Sequence, residues 1–172
     1  MPATLLEGAP IADQIKAEVR AAVEKRATPP KLAAVLATDN KGAAFYAKAQ
    51  AKACEEVGIR YELIELGAEA DQAAIDAKTA ELNADRDVTG IILLMPLPPG
   101  VDGRAAQRRI DPNKDVDGVH PANLGRVVQG STTLAQCTAQ AVFALAKASG
   151  VCLFDDPKAA CGKGINACVV GH

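Results

Sequence analysis

Three short apolar runs, "KLAAVLA" from Lys31, "RYELIEL" from Arg60 and "VTGIILLMP" from Val88, are separated by two stretches with helical spacing. This order constrains the fold more than any other feature. Strands that follow one another through helices need crossovers, and crossovers put them in parallel with helices on both faces. The first intervening stretch, "KGAAFYAKAQAKACEEVG", is Ala-rich and ends at Gly58, a residue suited to a helix C-cap. The second, "DQAAIDAKTAELNAD", places Ile75, Thr79 and Leu82 on one stripe. Ahead of them, Ile11, Ile15, Val19 and Val23 recur every four residues, one face of an amphipathic helix that Pro29 and Pro30 stop. The pattern predicts an α/β fold, a three-layer parallel sheet with helices on both faces. Ligands of such sheets collect beyond the carboxyl ends of the strands, here after Thr38 and after Met95.

After Pro96 the texture changes. "PLPPGVDG" and "DPNKDVDGVHPANLG" are rich in turn-forming residues, with a short helix "RAAQRRI" between them. Two such loops so close together suggest a functional rim. "TAQAVFALAKAS" predicts a further helix carrying Val142, Leu145 and Ala146, and "INACVVGH" a further strand.

Composition removes several classes of function. Hydrophobic residues make up 49% of 172, enough for a core, and the net charge of -2 does not support binding driven by nucleic-acid phosphates. No apolar run reaches the length of a membrane span, and no secretory signal opens the chain. Five cysteines without a CxxC pair predict free thiols in a cytoplasmic protein, with no metal site. Cys137 reads as a small core residue, and Arg108 and Arg109 as a solvated helix face. His120 reads as local packing, and one of Asp115 and Asp117 as a turn residue. The Gly-Lys pairs near Lys41 and Lys163 lack the spacing of a phosphate loop.

Taken together, "LEGAPIADQIKAEV", "ATDNKGAAFYAKAQAKACEEVGI", "LNADRDVTGIILLMPLP" and "IDPNKDVDGVHPANLGRV" resemble the folate-binding part of the bifunctional methylenetetrahydrofolate dehydrogenase/cyclohydrolase family. The last segment, with its Asp-Val-Asp-Gly turn, His-Pro step and Asn-x-Gly-Arg close, is the most specific. The resemblance runs from about Leu5 to Val151. It implies a folate-binding catalytic domain over residues 1–150. Residues 151–172 would then be a linker and the first strand of a truncated, incomplete Rossmann domain for NAD(P).

The resemblance further implies hydride transfer from 5,10-methylenetetrahydrofolate to NADP, hydrolysis of the methenyl product, a tetrahydrofolate substrate and a homodimer. By this likeness Tyr46, Gln50 and Asp117 stand at catalytic positions. Tyr46, Leu94, Pro96, Leu97, Pro98, Asp117 and Gly118 stand at substrate-binding ones. Two of these depart from the family. Its Lys, four residues after the Tyr, is Gln50 here, and its Gln at the end of the third strand is Leu94. A carboxamide has no proton to exchange near neutral pH, and leucine offers no hydrogen bond. Lys48 and Lys52 lie two residues from Gln50, on other faces of the helix. The groups that bind are kept and those that hydrolyse are lost, so the dehydrogenase line is favoured and cyclohydrolase activity impaired. The alternatives are a non-catalytic folate-binding or scaffold subunit, or an inactive fragment. The phosphate-cradling turn of the family's cofactor domain has no counterpart, so the cofactor-binding residues stay unknown and the chain by itself is not expected to bind a dinucleotide.

Overall fold

A computed structural model of the chain describes residues 5–131 and 134–150. Helix α1 spans Ala9–Glu24, strand β1 Lys31–Leu36, helix α2 Lys41–Val57, strand β2 Arg60–Glu65, helix α3 Gln72–Ala84 and strand β3 Gly90–Leu94. Beyond them lie helices α4, Gly103–Gln107, α5, Pro121–Val128, and α6, Cys137–Ala148. The strands form a parallel sheet in the order β2-β1-β3, as the alternation predicts.

Side chains alternate across a sheet, so the central strand feeds two cores. Ala33, Val35 and Ala37 point to one face, with Ile91 and Leu93, and meet Ile75 and Leu82 of α3 and Ala106 of α4. Ala34, Leu36, Ile92 and Leu94 point to the other and meet Ala43 and Ala47 of α2. Small alanines on α2 let the helix approach the sheet closely. Asn40 and Asp71 cap α2 and α3 by accepting backbone N–H groups, and Gly58 closes α2 with φ at 78°.

Helix α1 packs on α2 and buries no residue completely. Its apolar stripe is half-covered, and Ile15 remains 48% exposed. Helix α5 was not expected: the sequence around it has the composition of a loop. His120 starts it by accepting the Ala122 N–H on Nδ1, and Pro121 stands in the first turn, where its missing N–H costs nothing. The predicted strand in "INACVVGH" and the boundary at residue 151 lie outside the described residues.

Candidate functional site

The turn after Lys114 is held from below. Lys114 Nζ donates to the carbonyls of Leu82, Asn83 and Asp85 at 2.9, 2.8 and 2.6 Å, a cation on the unpaired end of α3. The Ile91 N–H donates to the Lys114 carbonyl at 2.7 Å, fixing this stretch to the outer side of β3. Asp115 is fully buried and accepts three hydrogen bonds: from Gly118 N–H at 3.1 Å, His120 N–H at 2.9 Å and Asn123 Nδ2 at 2.8 Å. Asn123 is itself fully buried, also donates to the Pro112 carbonyl, and accepts from Arg126. This network was not legible beyond the expectation of a turn role for one aspartate.

Asp117 sits at the crest of that turn, part-buried. Burial first, and the nearby Asp115 charge second, raise its carboxyl above the ordinary value. Gly118 follows with φ at 68°, and a Cβ there would lie 2.7 Å from the Ala135 carbonyl carbon. The turn thus closes against the segment leading into α6. Cys137 reaches back along the same seam, its Sγ donating to the Val116 carbonyl at 3.5 Å. The expectation of a core residue is corrected here: Cys137 is exposed, because α6 covers no buried surface among its described side chains.

On α2, Tyr46 is 54% exposed, a ring available to a ligand. Gln50 lies one turn on, part-buried, and accepts from the Tyr61 hydroxyl of β2 at 3.4 Å. Burial pushes the Tyr61 phenol up to about 12, with Cys54 and Tyr46 adding smaller contributions. Lys48 and Lys52 are exposed, as their helical positions require. Leu94 is 2% exposed and belongs to the α2 face of the core. Leu97 packs against the opposite core, Pro98 is buried, and Pro96, after a cis peptide bond, is exposed.

One apolar cluster links these pieces. Ala47, which follows Tyr46, shares it with Leu94, and both Tyr61 and Val116, the neighbour of Asp117, pack against it. The helix carrying Tyr46 and Gln50 and the turn carrying Asp117 therefore rest on common ground. Among the described residues no group of three metal-ligating side chains is present, and no helix is long and apolar enough to cross a membrane.

The family described as tetrahydrofolate dehydrogenase/cyclohydrolase, catalytic domain, matches residues 6–117. The chain belongs to this family. A curated relative from Cytophaga hutchinsonii, bifunctional protein FolD, is 40% identical over 151 residues, which cover 86% of this chain and 52% of the relative. The chain thus spans about half the length of the curated relatives it matches. Among solved structures, the bifunctional FolD enzyme from Campylobacter jejuni is similar at 34% identity and TM-score 0.80, over 86% of this chain and 54% of that one. The Trypanosoma brucei FolD, solved with NADP cofactor and an inhibitor, is similar at 29% identity and TM-score 0.83, over 90% of this chain and 55% of that one. The fold of this dehydrogenase/cyclohydrolase family is therefore the fold described above.

Proposed function

We propose that this chain is the folate-binding domain of a one-carbon enzyme of the methylenetetrahydrofolate dehydrogenase type, with impaired cyclohydrolase chemistry. The observation that carries the reading is the Asp115-braced turn that lifts Asp117 beside the cluster supporting Tyr46. In this reading the Asp117 carboxylate accepts hydrogen bonds from the pterin. The Tyr46 ring lies against the folate, while Pro96, Gly118 and the Leu97-Pro98 backbone shape the rim. Leu94 contributes an apolar floor.

Hydrolysis of a methenyl group needs a side chain that takes a proton from water as the C–O bond forms. Gln50 cannot do so, and its partner Tyr61 keeps its proton throughout the neutral range. Hydride transfer makes no such demand, so the dehydrogenase line is the one retained. A second reading, a folate-binding subunit without catalysis, is favoured by that same neutral Gln50–Tyr61 pair.

NADP is the cofactor of this reading, but the described residues do not fit it. A dinucleotide pyrophosphate is held by a glycine-rich turn at a helix N-terminus. Helix α2 instead opens behind Asp39 with Asn40 capping it, and α3 opens on the Asp71 carboxylate. Residues 1–150 are proposed as the folate domain and 151–172 as the entry to a cofactor domain. What the described residues supply is binding and orientation of the folate. The same reading makes the protein a cytoplasmic homodimer, which light scattering of the purified chain tests.

Absorbance of the methenyl product, after adding 5,10-methylenetetrahydrofolate and NADP, tests the function. Growth of that band supports the dehydrogenase. A flat trace with folate binding that Asp117→Asn weakens upholds the folate domain, and a trace that stays flat when a dinucleotide-binding domain is added in trans supports the non-catalytic subunit. Folate binding that is absent, or indifferent to Asp117→Asn, overturns both readings.

A further inference from the structure

Both ends of the buried Asn123 carboxamide are engaged. Nδ2 donates to the Pro112 carbonyl at 2.9 Å and to Asp115 Oδ2 at 2.8 Å, while Oδ1 accepts from Arg126 Nη1 at 3.0 Å. This pattern fits an amide, because a carboxylate of the same shape would set an oxygen against two acceptors. The bonds bracket the Asp117 turn: Pro112 precedes it, Asp115 forms its floor, and Asn123 follows it on α5.

The two oxygens of Asp115 have different partners. Oδ1 accepts the Gly118 N–H at 3.1 Å and so closes the loop that carries Asp117. Oδ2 accepts the His120 N–H at 2.9 Å together with the Asn123 amide. A carboxylate is planar, so fixing Oδ2 also fixes where Oδ1 lies beneath Gly118. The Arg126 guanidinium in turn holds the Asn123 amide in the orientation that donates. Arg126 is exposed, so a chain of hydrogen bonds runs from a surface cation to the loop bearing Asp117.

The charged and titratable groups around that loop are Asp115, Arg126 through Asn123, His120 at the start of α5, and Cys137 of α6, whose Sγ donates to the Val116 carbonyl. The Lys114 ammonium is engaged at the end of α3. Burial and the Asp115 charge raise the Asp117 carboxyl, and both causes require the loop to stay closed. We propose that Asn123, oriented by Arg126, is a positioning residue of the folate site, holding the Asp115 carboxylate so that Asp117 presents its own to the pterin. This rests on the folate reading given above.

A brace adds stability alone, whereas a positioning residue also moves the titration of Asp117 and the affinity of the folded protein. The full chain, Asn123→Ala, Arg126→Ala and the double variant are compared by tetrahydrofolate titration and by carboxyl-carbon NMR of Asp117, which needs no ligand. Urea denaturation sets the conditions under which each is folded. One hydrogen bond is worth about twofold to tenfold, and tetrahydrofolate affinity is expected to fall by that factor in Arg126→Ala. Asn123→Ala loses three such bonds, and a fall of about tenfold or more is expected there. In both variants the Asp117 carboxyl is expected to titrate lower, closer to the ordinary 3.8. Arg126→Ala is expected to add nothing to Asn123→Ala, since it acts through that amide.

Additive losses in the double variant overturn the inference. Native affinity in the single variants, or an unmoved Asp117 titration, also overturns it and leaves the folate reading standing. Arg126→Ala changes an exposed side chain, so these outcomes stay readable if Asn123→Ala fails to fold. A lowered Asp117 titration in variants of a chain that binds no tetrahydrofolate upholds the coupling of Asn123 to Asp117 and overturns the folate reading. An unmoved titration with no tetrahydrofolate bound overturns both.

Discussion

The Tyr61 hydroxyl donates to Gln50 Oε1 at 3.4 Å, joining an outer strand of the sheet to the middle of the helix that packs on it. The phenol, pushed up to about 12, stays neutral wherever the protein is folded near physiological pH. Both members of the pair are therefore uncharged near neutral pH. Tyr61→Phe keeps the ring in the cluster and removes one hydrogen bond. A loss of about 0.5–1.5 kcal/mol is expected in urea denaturation, since a freed Gln50 amide regains water at the part-exposed surface.

Leu94→Gln, alone, puts a carboxamide into an apolar cluster that contains no polar side chain other than the Tyr61 hydroxyl. A destabilisation of about 1–3 kcal/mol follows. Pairing it with Gln50→Lys gives the amide a charged partner, so the double variant should be more stable than the sum of the two single effects. A double-mutant cycle by thermal denaturation reads this coupling, and strict additivity would show that positions 50 and 94 do not meet.

The same double variant is expected to gain methenyl hydrolysis. General acid–base assistance is worth about 10²–10⁴-fold, and a restored but unrefined site should reach the lower end. Decay of methenyl absorbance at neutral pH measures it. No gain, with folate binding intact, would remove Gln50 and Leu94 from the reacting region.

Asp115→Ala leaves three donors, from Gly118, His120 and Asn123, without their acceptor inside the protein. The expected cost is about 3 kcal/mol or more, and folate affinity should fall with it because the turn beneath Asp117 loosens. Gly118→Ala attacks the same turn sterically: its left-handed φ and the 2.7 Å approach to Ala135 both oppose a Cβ. A loss of about 1–3 kcal/mol is expected there.

Asp117 carries a pH signature. Its folded carboxyl titrates above the ordinary 3.8 because burial disfavours the charged form. Such a group stabilises the fold below its unfolded value, and that contribution is lost as pH rises through the folded one. Asp117→Asn should therefore stabilise the chain at neutral pH, with the gain vanishing below about pH 3.8. Folate binding has the opposite demand, needing the ionised carboxylate, so on acidification the native affinity should fall more steeply than that of Asp117→Asn. Melting temperatures and titrations across pH 3–8 measure both, and parallel pH profiles for the two proteins would contradict the assignment.

The layered sheet is legible along the chain. Apolar runs of strand length, helical spacing between them, and the caps Asn40, Gly58 and Asp71 are local signals, each readable within a few residues. The departures at Gln50 and Leu94 are legible there too, because a motif is a matter of order along the chain. Which side chains meet is set by the packed fold. Tyr61 faces Gln50 because the closeness of α2 to the sheet depends on Ala43 and Ala47. Asp115 is a buried anchor, and its partner Asn123 stands in a helix hidden within a Pro-, Gly- and Asn-rich stretch. Cys137 is exposed because α6 finds little to cover. Such contacts join residues far apart in the chain, and they are set by packing and register, which no local pattern records.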